Sequence, residues 1–260
     1  MQIDSYPQGT PCWFDLGTPD LMGAVAFYSA LFGWDVEVGP PEIGHYSMAR
    51  LGGRDVVGMA DQQGPGPAAW STYLAVDDLD VTLRRAVEHG ALVLVAPTDV
   101  MEAGRFAVVA DPGGAVVSFW QALGHLGAGV MGAPGSVLWS ELTTRVVDES
   151  LAFYRDVVGL TSVQGDSTMG EYHELLRADG RTVAGLMAMS NDVWDDDVPN
   201  HWMIYFASDD PDATASRCVE LGGSVVVPPT GIPPGRFAVL SDPQGAVFSI
   251  MRFDLPVTGG

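Results

Sequence analysis

Apolar and polar positions fall into short runs whose period changes in a fixed order along the chain. Cys12 to Gly17 alternates as a half-buried strand does. Leu21 to Leu31 then spaces its apolar residues as a helix does, and Gly33 follows as a stop signal. Alternating runs at Trp34 to Val38, Tyr46 to Leu51 and Asp55 to Ala60 predict three strands. The plan restarts with a strand at Trp70 to Val76 and a helix at Leu79 to His89, closed by Gly90. Strands at Leu92 to Val95, Arg105 to Ala110 and Ala115 to Gln121 follow, with a tight turn at Pro112-Gly113-Gly114 between the last two.

This plan is duplicated. Trp13-Phe14-Asp15-Leu16 with Ala26-Phe27-Tyr28 recurs as Trp139-Ser140-Glu141-Leu142 with Ala152-Phe153-Tyr154, an offset of 126 (139 less 13). Gly104-Arg105-Phe106-Ala107-Val108 and Asp111-Pro112 recur as Gly235-Arg236-Phe237-Ala238-Val239 and Asp242-Pro243, an offset of 131 (235 less 104). Repeats of this length, in one order, mark tandem copies of one module. The expected organisation is a first domain over 1–122, a linker over 123–135 and a second domain over 136–260. Ala122 to Gly135 holds five glycines and one proline, which suits a connection between compact units. Each copy reads strand, helix, three strands, twice over. The fold class is therefore α+β, four βαβββ units, with helices on one face of each sheet. The opposite, concave face must be covered by a partner unit or a ligand.

Composition narrows the function classes. At 260 residues and 47% apolar, the chain buries real cores. Its formal net charge of −21 repels nucleic acid and anionic membranes. No run approaches the roughly 20 apolar residues of a membrane span, and Met1 to Thr10 has no leader pattern, so a cytoplasmic location is expected. Cys12 and Cys218 sit at non-equivalent places in the two copies, which argues against a disulfide framework. Neither has a His nearby in sequence to make it a nucleophile. The expected partner is a small-molecule ligand, with no nucleic acid and no membrane; a homodimer stays an open option.

Several motifs give the chain a family resemblance. Phe27-Tyr28 with Leu31-Phe32-Gly33-Trp34, and Phe153-Tyr154 with Val158-Gly159-Leu160, resemble the opening helix of the vicinal-oxygen-chelate superfamily, the glyoxalase, bleomycin-resistance and extradiol-dioxygenase group. Asp111-Pro112 with Gly114, and Asp242-Pro243 with Gly245, resemble its closing hairpin. Val76-Asp77-Asp78-Leu79 and Ser208-Asp209-Asp210-Pro211 resemble its mid-domain junction. The resemblance implies two tandem glyoxalase/bleomycin-resistance-type domains whose paired units curl into cups. Many such proteins hold a divalent metal there through His, Gln or Glu; others bind drugs without metal or chemistry. The implied ligand positions fall on Trp13 and Trp139, Gly58 and Gly185, Ser71 and Met203, and Ser118 and Ser249. Indole, glycine and neutral hydroxyl are poor ligands for transition metals. No metal and no other cofactor is therefore expected. Of the five histidines, His201 lies beside this set, and copy one has Ala69 in its place.

Strand alternation predicts the cup linings. Cup one presents Trp13, Asp15, Tyr73, Ser118 and Trp120; cup two presents Trp139, Glu141, Tyr205, Ser249 and Met251. Aromatic concavities with few polar groups suit flat or cationic ligands. A purely structural alternative pairs Asp15 with Arg105 and Glu141 with Arg236. Met101-Glu102 against Pro233-Pro234 makes the two rims differ. The first functional expectation is a binding protein for a small, largely aromatic or apolar molecule, a drug or secondary metabolite. The alternative is a metal-independent enzyme (lyase, isomerase or hydroxylase-like) with Asp15 or Glu141 as acid or base. A third is an interaction protein whose cups are merely filled.

Overall fold

In a computed structural model, residues 5–62, 64, 66–165, 167–168, 170–192 and 194–254 are described. The first half carries β1 (Pro11–Thr18), α1 (Leu21–Phe32), β2 (Asp35–Glu37), β3 (Ser47–Leu51), β4 (Arg54–Asp61), β5 (Ala69–Ala75), α2 (Leu79–Glu88), β6 (Leu92–Val100), β7 (Gly104–Ala110) and β8 (Val116–Ala122). The second carries β9 (Val137–Thr144), α3 (Val147–Val158), β10 (Thr161–Gln164), β11 (Tyr172–Leu176), β12 (Thr182–Ala188), β13 (His201–Ala207), α4 (Pro211–Glu220), β14 (Ser224–Ile232), β15 (Gly235–Ser241) and β16 (Val247–Phe253). Local chemistry sets the helix ends. The carboxylates of Asp20, Asp78 and Asp210 accept from the backbone N–H of Gly23, Val81 and Ala213. Gly33 and Gly159 end α1 and α3 at φ 74° and 78°, a conformation that costs a side chain dearly.

Each half forms one mixed eight-stranded sheet, β2-β3-β4-β1-β5-β8-β7-β6 and β10-β11-β12-β9-β13-β16-β15-β14. First and last strands of a unit run parallel, β1 with β4 and β5 with β8, and two units join through the antiparallel pair β1 and β5. The second half repeats this. Each cup therefore closes within one copy.

The helix layers of the two halves meet. One core joins Phe14, Leu16, Phe27 and Tyr28 of the first unit to Phe206 and Phe248 of the fourth. The other joins Leu79 and Phe119 of the second unit to Phe153 and Tyr154 of the third. Fully burying each such side chain contributes about 1.5–3 kcal/mol. Two polar latches cross the same seam. Tyr28 donates to Asp242 Oδ2 at 3.0 Å and accepts from Trp70 Nε1 at 3.1 Å; Tyr154 donates to Asp111 Oδ2 at 3.1 Å and accepts from Trp202 Nε1 at 2.9 Å. The domains thus stand back to back, with the helix-bearing faces together and the cups facing away.

Two details depart from the sequence expectation. β6 runs to Val100, past the expected end at Val95, because irregular pairing with β7 breaks the alternation. Val116 and Val247, which strand alternation places on the same face as Ser118 and Ser249, are exposed at the starts of β8 and β16 rather than enclosed in the cups. Among the described residues no helix is long and apolar enough to cross a membrane. Cys12 and Cys218 are free and buried.

Candidate functional site

Strand register brings the lining residues of cup one together. Ser71 sits opposite Asp15 and Tyr73 opposite Trp13; Gly58 flanks Asp15 from β4, and Ser118 flanks Tyr73 from β8. Trp120 pairs with Phe106 on the same face. At the centre is a hydrogen-bonded tetrad. Tyr73 donates to Asp15 Oδ2 at 2.7 Å, Tyr46 donates more weakly to the same oxygen at 3.4 Å, and Trp13 Nε1 donates to the Tyr46 hydroxyl at 2.7 Å.

Cup two repeats it. Glu141 lies between Gly185 and Met203, and Tyr205 lies between Trp139 and Ser249. Tyr205 donates to Glu141 Oε1 at 3.1 Å, and Trp139 Nε1 donates to the Tyr172 hydroxyl at 3.2 Å. Tyr172 hydrogen-bonds Glu141 in turn. Met251 pairs with Phe237 deeper in the cup. Trp13, Asp15, Tyr73, Ser118 and Trp120 share one sheet face, as do Trp139, Glu141, Tyr205, Ser249 and Met251. The sequence reading missed Tyr46 and Tyr172, although each stands 33 residues after its tryptophan partner. That shared spacing was the available signal. It also missed His125, whose ring meets Trp13 edge-on at 4.5 Å.

Glycine makes room for each tetrad. A Cβ on Gly58 would run into the Tyr46 hydroxyl, and one on Gly185 into the Tyr172 hydroxyl. The phenols therefore fill the space that a ligating side chain from β4 or β12 would enter.

Among the described residues, the acids have phenols for neighbours and no cation is paired with them. Arg105 pairs with Asp80 and Asp99, and Arg236 with Asp212, so the alternative pairing of these arginines with Asp15 and Glu141 does not form. Burial pushes the Asp15 carboxyl up to about 6, with hydrogen bonds from Tyr73, Ser71 and Tyr46 opposing. Burial pushes Glu141 up to about 7, with Tyr205 and Tyr172 opposing. Both acids can therefore change protonation near neutrality, as acid/base groups do.

A divalent metal does not fit this donor set. The implied ligand positions carry indole, glycine, hydroxyl and thioether groups, and phenols occupy the space between them. Among the described residues, no group of three or more His, Cys, Asp or Glu is placed to hold an ion. A cleft of about 390 Å³ on the seam between the halves is lined by Phe32, Gly135, Ser208 and Arg217.

Paired βαβββ units around two cups define the vicinal-oxygen-chelate class. The chain belongs to the Glyoxalase/Bleomycin resistance protein/Dioxygenase superfamily, whose model matches residues 12–119, while a glyoxalase-like domain model matches residues 140–251. Among similar proteins, "Putative glyoxylase CFP32" of Mycobacterium tuberculosis is 44% identical, covering 95% of this chain and 96% of that protein. Anthracycline biosynthesis protein DnrV of Streptomyces peucetius is 37% identical over 98% of both chains. The fold matches the Mn(II)-bound glyoxalase of Novosphingobium aromaticivorans, with TM-score 0.65 at 17% identity, covering 94% of this chain and 82% of that one. It also matches the 2,3-dioxygenase LapB of Pseudomonas sp. KL28, with TM-score 0.64 at 13% identity, covering 97% and 96%.

Proposed function

We propose that the chain binds a small, flat, largely aromatic molecule in its cups without the metal used by many relatives. One observation carries this reading: a Trp–Tyr–acid–Tyr tetrad stands in both cups where the family's ligands would converge. Ring faces and edges supply stacking surface, and the acid and phenols supply a few oriented polar groups. The likeness to proteins named for anthracycline biosynthesis supports a polycyclic aromatic metabolite as the ligand class.

A second reading has an observation of its own. Burial pushes Asp15 up to about 6 and Glu141 up to about 7, so either acid can donate or accept a proton at neutral pH. In that reading the bound molecule is isomerised, cleaved or otherwise turned over by proton transfer at Asp15 or Glu141.

Elemental analysis and native mass spectrometry of the purified protein test the first reading. The expected result is no stoichiometric transition metal, together with an added mass when a polycyclic aromatic compound is present. Stoichiometric metal would overturn it. Product formation that disappears in Asp15→Asn or Glu141→Gln, without loss of binding, would favour the second reading.

A further inference from the structure

The two cups share their tetrads but not their mouths. Two residues along the strand from each acid, the next position on the same face, cup one is lined by Gly17, flanked by Ala60 and Ala69. The same layer of cup two is Thr143, flanked by Met187 and His201. His201 shares the cup face with Met203, which sits opposite Glu141, so His201 and Glu141 are diagonal neighbours at roughly 7 Å.

The His201 ring is preset. Its Nδ1 lies 2.8 Å from the Pro199 carbonyl oxygen. A carbonyl only accepts, so Nδ1 carries the hydrogen and Nε2 of the neutral ring keeps its lone pair. Burial lowers the His201 pKa, and the charge of Arg145 lowers it further against the Pro199 hydrogen bond, which keeps the ring neutral. The segment that supplies Pro199 is itself tied down. Arg145 donates to the carbonyls of Asp195 at 2.8 Å and Val198 at 2.5 Å, and Asn200 Nδ2 donates to the Gly113 carbonyl at 2.8 Å. Trp194 stands beside the ring, with centroids 6.1 Å apart.

Cup one is closed by the chain itself. His125 meets Trp13 edge-on, and its carbonyl accepts from Trp120 Nε1 at 2.9 Å. Tyr6 donates to the Ala128 carbonyl at 2.7 Å, and the Ala128 N–H donates to the Cys12 carbonyl at 2.8 Å. This strap leaves Trp13 only 3% exposed, whereas Trp139 stays partly open. His125 Nε2 is buried there without a hydrogen-bond partner.

We infer that the cups divide the work: cup two takes one flat aromatic ligand bearing a hydroxyl donor, received by His201 Nε2, while the linker occupies cup one and excludes a second ligand. This rests on the binding reading above and adds the working cup, the stoichiometry and the ligand's polar group. His201 is a specificity-determining residue because it demands a donor. An ether or a bare ring leaves Nε2 unsatisfied.

Isothermal titration calorimetry of the full chain tests it, with a dihydroxyanthraquinone and its dimethyl ether as probes. One equivalent of the dihydroxy compound is expected, bound more tightly than the ether. His201→Phe keeps the ring area and removes the acceptor. It should weaken the dihydroxy compound about tenfold and leave the ether unchanged. His201→Gln, whose amide oxygen can accept, should recover most of the loss and guards against a variant that merely misfolds. Two equivalents, no effect of His201→Phe, or an equal loss for both probes would overturn this inference while leaving aromatic binding intact. Failure of both probes to bind the native chain would defeat the binding reading, and this inference with it.

Discussion

A carboxylate ringed by phenols and indole, with no cation to pair with, resists ionisation. The unfolded side chains of Asp15 and Glu141 release their protons near 3.8 and 4.5, but the folded ones do so near 6 and 7. Between those limits the folded chain holds more protons than the unfolded one, so its stability falls as pH rises and levels off above about pH 7. Glu141→Gln removes this cost and keeps an oxygen for Tyr205. The variant should be more stable than the native chain by about 2–3 kcal/mol at pH 8 and by less than about 1 kcal/mol at pH 5. Denaturant unfolding at both pH values measures this, and a gain that does not depend on pH would contradict the burial argument. The glycines beside the acids are the complementary case. Gly185→Ala drives a methyl into the Tyr172 hydroxyl, so it should cost about 1–3 kcal/mol and redshift or blueshift Trp139 emission as its hydrogen bond to Tyr172 breaks. An unchanged emission maximum would mean that Tyr172 does not depend on that glycine. At this scale the sequence revealed the inward acids, because alternation of period two assigns faces. The tyrosines that hold them lie on other strands, and alternation within one strand says nothing about reach across several.

Helices α1 and α3 carry the Phe-Tyr pairs that helped signal the family, and the structure gives the pairs a job. Each phenylalanine packs into a shared core, and each tyrosine reaches the closing hairpin of the other domain. The Asp-Pro-Gly hairpins in turn are more than turns. Asp111 and Asp242 each use one oxygen to accept backbone N–H groups of the hairpin and the other to accept a tyrosine from across the seam. Tyr154→Phe leaves Asp111 Oδ2 and the Trp202 indole N–H buried without this partner. The expected loss is about 2–3 kcal/mol, read as a lower denaturation midpoint, and Tyr28→Phe should show the same through Asp242 and Trp70. Element positions were legible to within a few residues because both periods are clean over most of the chain. The extension of β6 was not, since Pro97 and the irregular register with β7 erase the alternation there.

At the scale of the molecule, neither half owns its core. The first core draws Phe14, Phe27 and Tyr28 from one domain and Phe206, Phe248 and Ile250 from the other, and the second is shared in the same way. Sequence periodicity shows which face of a helix or strand is buried. It cannot show whether the covering surface comes from the same domain or its neighbour, so a repeat joined by a glycine-rich linker reads as two independent beads. Shared cores predict otherwise. The full chain should melt in one transition whose calorimetric and van't Hoff enthalpies agree, because exposing one half strips the apolar cover from the other. A fragment ending at Ala122 would present the helix-bearing side of its sheet to water, an apolar surface too large for a stable monomer. It should dimerise through that surface or aggregate, as size-exclusion chromatography would show. If the fragment remained a cooperatively folded monomer and the full chain melted in two separable steps, the two cores would not be the source of the chain's stability. In that case the latches at Tyr28 and Tyr154 would serve only to orient the domains.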